Sequence, residues 1–156
     1  SRRLIPNSFD IRISGQTSRG SLPRQWFGIV DASPVFGGLH TLLNRPYEAG
    51  GFVLVAWEHS FRSVLFERLG WRYGVRKGLN LIIHGAHARL WDPAPDRVGG
   101  GWGSGAARKV GHAPPDGFHH EIGWSISGLF DFFRFNFTHR LDKPGFSIGL
   151  AAARIF

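Results

Sequence analysis

Apolar and polar residues alternate along much of the chain. In FFRFNFTHRL, Phe132 to Leu141, the rings of Phe133, Phe135 and Phe137 alternate with Arg134, Asn136 and Thr138, so an extended strand there has one greasy and one wet face. Phe9, Ile11 and Ile13 alternate in the same way with Asp10, Arg12 and Ser14. From Phe52 to Arg62, Val53, Val55, Trp57 and Phe61 share one face and Glu58, Ser60 and Arg62 the other, with His59 interrupting the apolar set. His120, Ile122, Trp124 and Ile126 alternate with His119, Glu121, Gly123, Ser125 and Ser127. GLNLIIHGAHARLW reads as a longer strand whose facing is ambiguous, RQWFGIV as a short one, and FSIGLAAARIF as the last.

The pattern predicts an all-β chain of about seven strands, those at residues 7–14 and 24–30 being the weakest. Between strands, VLFERLGWRYGVRK has a spacing closer to helical and predicts an amphipathic connection, while GGLHTLLN is compatible with a helical turn. SGLFD and LDKPG read as tight turns. Residues 92–117, rich in Gly and Pro, have no periodicity and predict a long loop. Residues 1–156 read as a single domain.

Two architectures share this pattern. In a sandwich the phenylalanine face packs on a second sheet and the arginine face meets water. In a transmembrane barrel the arginines line a polar, water-filled interior and the phenylalanines meet lipid. The long loop, the terminal Phe156 and the shortage of aliphatic strands to pair with so many aromatics favour the barrel. No segment approaches the roughly 20 apolar residues of a spanning helix, whereas a barrel strand needs only about 9–11.

Composition adds a polyanion partner. The net charge is +8 and the pI near 11.2, almost all of it from arginine. That balance attracts nucleic acid, anionic lipid or lipopolysaccharide. Arginines scattered over nearly every segment fit a lumen and lipid rims better than one nucleic-acid stripe, so outer-membrane lipid and lipopolysaccharide are expected partners and nucleic acid is not. Cysteine and methionine are both absent, so bridges and thiolate metal sites are excluded, and the chain reads as a mature form or the C-terminal piece of something longer.

HEIGWSISGLFDFFRFNFTHRLDKPGFSIGLAAARIF resembles the closing strands of a family of Bacteroidota outer-membrane proteins, often carrying an N-terminal carboxypeptidase-regulatory-like domain, whose barrel is related to BamA-like surface antigens. FVLVAWEHSFRSVLFERLGWRYGVRKGLNLIIHGAHARLW is similar to that family's preceding strand pair. The resemblance implies the C-terminal part of an antiparallel transmembrane β-barrel in the bacterial outer membrane, with a role in outer-membrane assembly, translocation or surface exposure, the assembly machinery and other envelope proteins as candidate partners, and loop 92–117 extracellular. It also implies an assembly signal at Phe156, with Leu150 and Ile148 on its face. Arg154 departs from that signal and is accommodated by snorkelling.

No enzyme and no cofactor are expected. GGGWGSGAARK lacks the spacing of a phosphate loop. His119 and Glu121 face the same way on a strand and His84 and His87 opposite ways, leaving no third metal ligand. Glu58 and Glu121 are expected to form lumenal ion pairs with Arg62, Arg134 and Arg140, with Asn136 on the same face. Trp124, Phe133, Phe135 and Phe137 are expected to face lipid.

Overall fold

The computed structural model describes residues 7–17, 28–30, 37–42, 47–49, 51–91, 117–130 and 132–152. Strands β1 (Ser8–Thr17), β4 (Gly51–Arg62), β5 (Asn80–Trp91), β6 (Gly117–Leu129), β7 (Phe133–Arg140) and β8 (Phe146–Ala152) form one six-stranded antiparallel sheet in the order β1-β4-β5-β6-β7-β8. Two short strands, β2 (Gly28–Val30) and β3 (Tyr47–Ala49), form a separate ribbon. The all-β expectation holds. Among the described residues β1 and β8 each have one neighbour, so the sheet is open.

The connections differ between the two ends. Thr17 pairs with Gly51 and Leu90 with Gly117, so residues 18–50 and 92–116 leave from one end, where residues 141–145 also turn. At the opposite end lie the turn at residues 130–132 and a helical hairpin, α1 (Val64–Arg68) and α2 (Arg72–Arg76), over the span read as an amphipathic connection. The predicted long loop lies outside the described residues, apart from Gly117.

Cross-strand pairs seat large rings over glycines. A Cβ at Gly85 would lie 2.7 Å from the ring of Trp57, and one at Gly123 would lie 2.6 Å from His84 Nε2 and collide with the Phe137 carbonyl oxygen. Trp57 pairs with Gly85 and His84 with Gly123, so each glycine makes room for the neighbouring ring and lets the sheet curve there.

The core occupies one face at the end carrying the long connections. Phe52, Leu54, Ala56, Ala86, Ala88 and Leu90 from β4 and β5 meet Val30 and Ala49 of the ribbon and Leu39 and Leu42 of segment 37–42. The alanines keep that face shallow enough for the segment to enter. Leu39 is fully buried, which stabilises the insertion by roughly 1.5–3 kcal/mol. GGLHTLLN therefore forms no helical turn over Gly37–Leu42. Gly37 has φ 103°, and the backbone N–H groups of His40 and Thr41 bond to a strand carboxylate instead of to preceding carbonyls.

Candidate functional site

Burial on β6, β7 and β8 runs opposite to hydropathy. Ser125, Thr138, His119 and Glu121 are 0 % exposed, whereas Ile148 is 54 % and Leu150 64 % exposed. The buried face of β6 and β7 carries His119, Glu121, Ser125, Arg134, Asn136 and Thr138; Glu58 of β4 and His84 of β5 continue the same rows, because Glu58 pairs with His84 and His84 with Gly123. Beside these residues the face is covered by segment 37–42.

Glu121 holds that segment. Its Oε1 accepts the His40 N–H at 2.6 Å, and its Oε2 accepts the Thr41 N–H at 3.1 Å and the Thr41 hydroxyl at 2.7 Å. His119 Nε2 lies 3.1 Å from the same Oε2 and 2.9 Å from Thr41 Oγ1. The Thr41 proton is committed to Glu121, so the hydroxyl accepts from an Nε2-protonated His119. Three donors from segment 37–42 thus satisfy the carboxylate, with the single His119 Nε2–H shared between Oε2 and Thr41 Oγ1, as a buried anion requires.

A second set of bonds runs from His40 to Glu58. Ser125 Oγ donates to Asn136 Oδ1 at 2.7 Å, so the 3.0 Å bond to His84 Nδ1 must be donated by the imidazole. His84 Nε2 is then an acceptor for Thr138 Oγ1 at 2.9 Å, and Thr138 in turn accepts from His40 Nδ1 at 3.3 Å. The His40 and His84 rings stack at 4.5 Å. Arg134 donates through Nε to Asn136 at 2.7 Å and through its two terminal nitrogens to Glu58, at 3.2 and 2.5 Å. Among the described residues no buried side-chain nitrogen or oxygen lacks a partner.

The expected lumenal set divides. Glu58, Glu121, Arg134 and Asn136 lie on the buried face, and Glu58 pairs with Arg134, but Glu121 bonds to backbone, Thr41 and His119. Arg62 sits exposed at a bulge with φ 50°. Arg140 pairs with Asp142 at 2.6 Å. Asp142 also accepts the His120 N–H; burial would raise its pKa, but these bonds, the Arg140 one foremost, bring it down to about 2.

Residues expected to face lipid lie on the other face. Trp124 is 40 % exposed and its ring stands 5.9 Å from both Phe135 and Phe137; Phe133 shares this face and is half-buried. Trp57 Nε1 donates to His87 Nε2 at 3.3 Å, which leaves His87 Nδ1–H to donate to His120 Nδ1 at 3.1 Å, so the polar groups among these rings are partnered. Ile148 and Leu150 are exposed on the same face, while Arg154 and Phe156 lie outside the described residues.

Sequence reasoning missed His40, Thr41, His84 and Thr138 as site members. Thr138 stood on the polar phase of its strand; His40 and Thr41 come from a segment without periodicity, and no local signal marks them. Among the described residues no three His, Asp or Glu side chains are grouped to hold a metal ion. Ser125 and His84 are both buried, and the serine proton is held by Asn136 Oδ1 and not by the imidazole. Comparison with protein-family models, curated proteins and solved structures finds no match to this chain.

Proposed function

We propose that the chain is the C-terminal part of an outer-membrane β-barrel of the BamA-like superfamily, acting in outer-membrane assembly, translocation or surface exposure. The observation that carries this reading is the inverted burial over β6–β8: Ile122, Trp124, Phe146, Ile148 and Leu150 are exposed, while Glu121, Ser125, Arg134 and Thr138 on the other face are buried. Water penalises that arrangement and lipid rewards it. β1, β4, β5 and β6 have 10 to 13 residues, enough to span a bilayer at a tilt. The unequal ends support the same orientation, with the long connections outside the cell and the tight 130–132 turn in the periplasm. Strands of a longer chain close the two edges in this reading.

The filled inner face favours surface exposure over an open pore. Segment 37–42 occupies the interior in a sheet whose polar groups are already satisfied, so passage of cargo requires that segment to leave. The reading is tested by separating cell envelopes expressing the full-length protein. Recovery in the detergent-dependent outer-membrane fraction, lost on deletion of Phe156, is the expected result. Recovery in the aqueous fraction favours a soluble basic all-β domain binding polysaccharide or nucleic acid.

A further inference from the structure

The helical hairpin carries charge that no ion pair answers among the described residues. Arg62, Arg68, Arg72, Arg76 and Lys77 are all exposed, and among the described residues none of them forms an ion pair. Glu67 is the one acidic residue between 62 and 79, and it takes a hydrogen bond from Ser63. Beside these cations Leu69 is 71 %, Trp71 46 % and Tyr73 54 % exposed. The Trp71 ring is fixed edge-on to Phe66 at 5.2 Å, which anchors it to the one buried side chain of α1. Arg72 and Arg76, one turn apart on α2, share a concavity with Phe66, Gly70, Tyr73, Val75 and the single carboxylate Glu67, so two cations outnumber one anion there.

Cations alone suit any polyanion, but cations interleaved with an exposed leucine, tryptophan and tyrosine suit a boundary between hydrocarbon and charged headgroups. Trp and Tyr settle at that level of a bilayer, and guanidinium forks match phosphate oxygens. An acidic protein surface would have no need of the exposed apolar side chains. We propose that the Arg62–Lys77 hairpin is a binding site for anionic glycerophospholipid headgroups, with Arg72 and Arg76 on the phosphate and Trp71 and Tyr73 at the acyl boundary. The site rests on the membrane reading above, which places this end of the sheet at a bilayer surface.

The test uses the full-length protein in phosphatidylcholine vesicles containing brominated phosphatidylcholine or brominated phosphatidylglycerol, with tryptophan quenching as the readout. Each cation near an anionic surface raises affinity about fivefold. Brominated phosphatidylglycerol should therefore quench at a mole fraction more than about tenfold lower, and R72Q/R76Q should reduce that preference by about tenfold. Exchanging Lys143 for Gln, at the opposite end, should leave it unchanged. A protein that inserts but shows equal quenching by both lipids, or a preference untouched by R72Q/R76Q, overturns the site and leaves the membrane reading standing. Insertion into neither composition overturns both. Loss of the preference on adding soluble glycerol phosphate, or tighter binding of a polyglutamate peptide than of the vesicles, also overturns the lipid site.

Discussion

The backbone nitrogen of His40 lies 2.6 Å from Oε1 of Glu121, a residue 81 positions later in the chain. One strand carboxylate thereby ties down a segment from the first long connection and fills the polar face of the sheet. That face is a latch on the segment, and its strength rests on the carboxylate being an anion that accepts three hydrogen bonds from it.

Replacing Glu121 by Gln tests the latch. The amide keeps the shape but turns one acceptor oxygen into a donor that faces the donors of segment 37–42. Stability should fall by roughly 3 kcal/mol, read as a lower denaturation midpoint, because buried donors lose a charged partner. Protease cleavage between residues 37 and 42 should appear in the variant before the strands unfold. An unchanged midpoint and cleavage pattern would contradict the latch.

Glycine 123 is required by its neighbours. A Cβ there collides with the Phe137 carbonyl oxygen and with His84, whereas at Gly145 the nearest atom is 3.9 Å away. G123A should cost more than about 2 kcal/mol, since a backbone atom must shift, while G145A should stay within about 0.5 kcal/mol. Folded yield in detergent separates the two variants.

The Glu58–Arg134 pair predicts asymmetric mutational costs. E58Q alone leaves a largely buried guanidinium without its counter-charge and should destabilise by about 3 kcal/mol, whereas E58L/R134M, which removes both charges, should cost less than E58Q. A double variant no better than the single would show that the pair contributes net stability.

Asp142 gives an acid-range signature. Its folded pKa, about 2, is below the ordinary 3.8, so its contribution is fully present above about pH 4 and lost as pH falls through about 2. The difference in thermal midpoint between wild type and D142N should shrink over that window. A difference independent of pH between 2 and 4 would contradict the Arg140 and His120 contacts.

The two-residue period told most of the sheet, because β4, β6 and β7 keep one chemical character per face and the register follows from that alternation. β5 did not show its facing: His84 and His87 are alike in sequence, and only the rows set by Glu58 and Gly123 put the first inside and the second outside. Glu121 was legible as an inward carboxylate, but its partners were not. They belong to segment 37–42, whose role comes from a long-range fit against Ala56, Ala86 and Ala88, and a local pattern cannot encode such a fit. Ala86 and Ala88, small residues in a strand whose facing was ambiguous in the sequence, are the space into which Leu39 packs.

The central claim is that the apolar face of the sheet meets lipid and the polar face does not. These 156 residues hold no cysteine, so once any cysteine elsewhere in the full-length protein is replaced, single cysteines placed at Phe135, Phe137 and Ile148 on one face, and at Asn136 and Ser147 on the other, can each carry the only spin label in vesicles. The account predicts that labels at 135, 137 and 148 collide freely with dissolved oxygen and little with a water-soluble nickel chelate, alternating with low oxygen access at 136 and 147. Strong chelate access at 135, 137 and 148, or no alternation along β7, would contradict it.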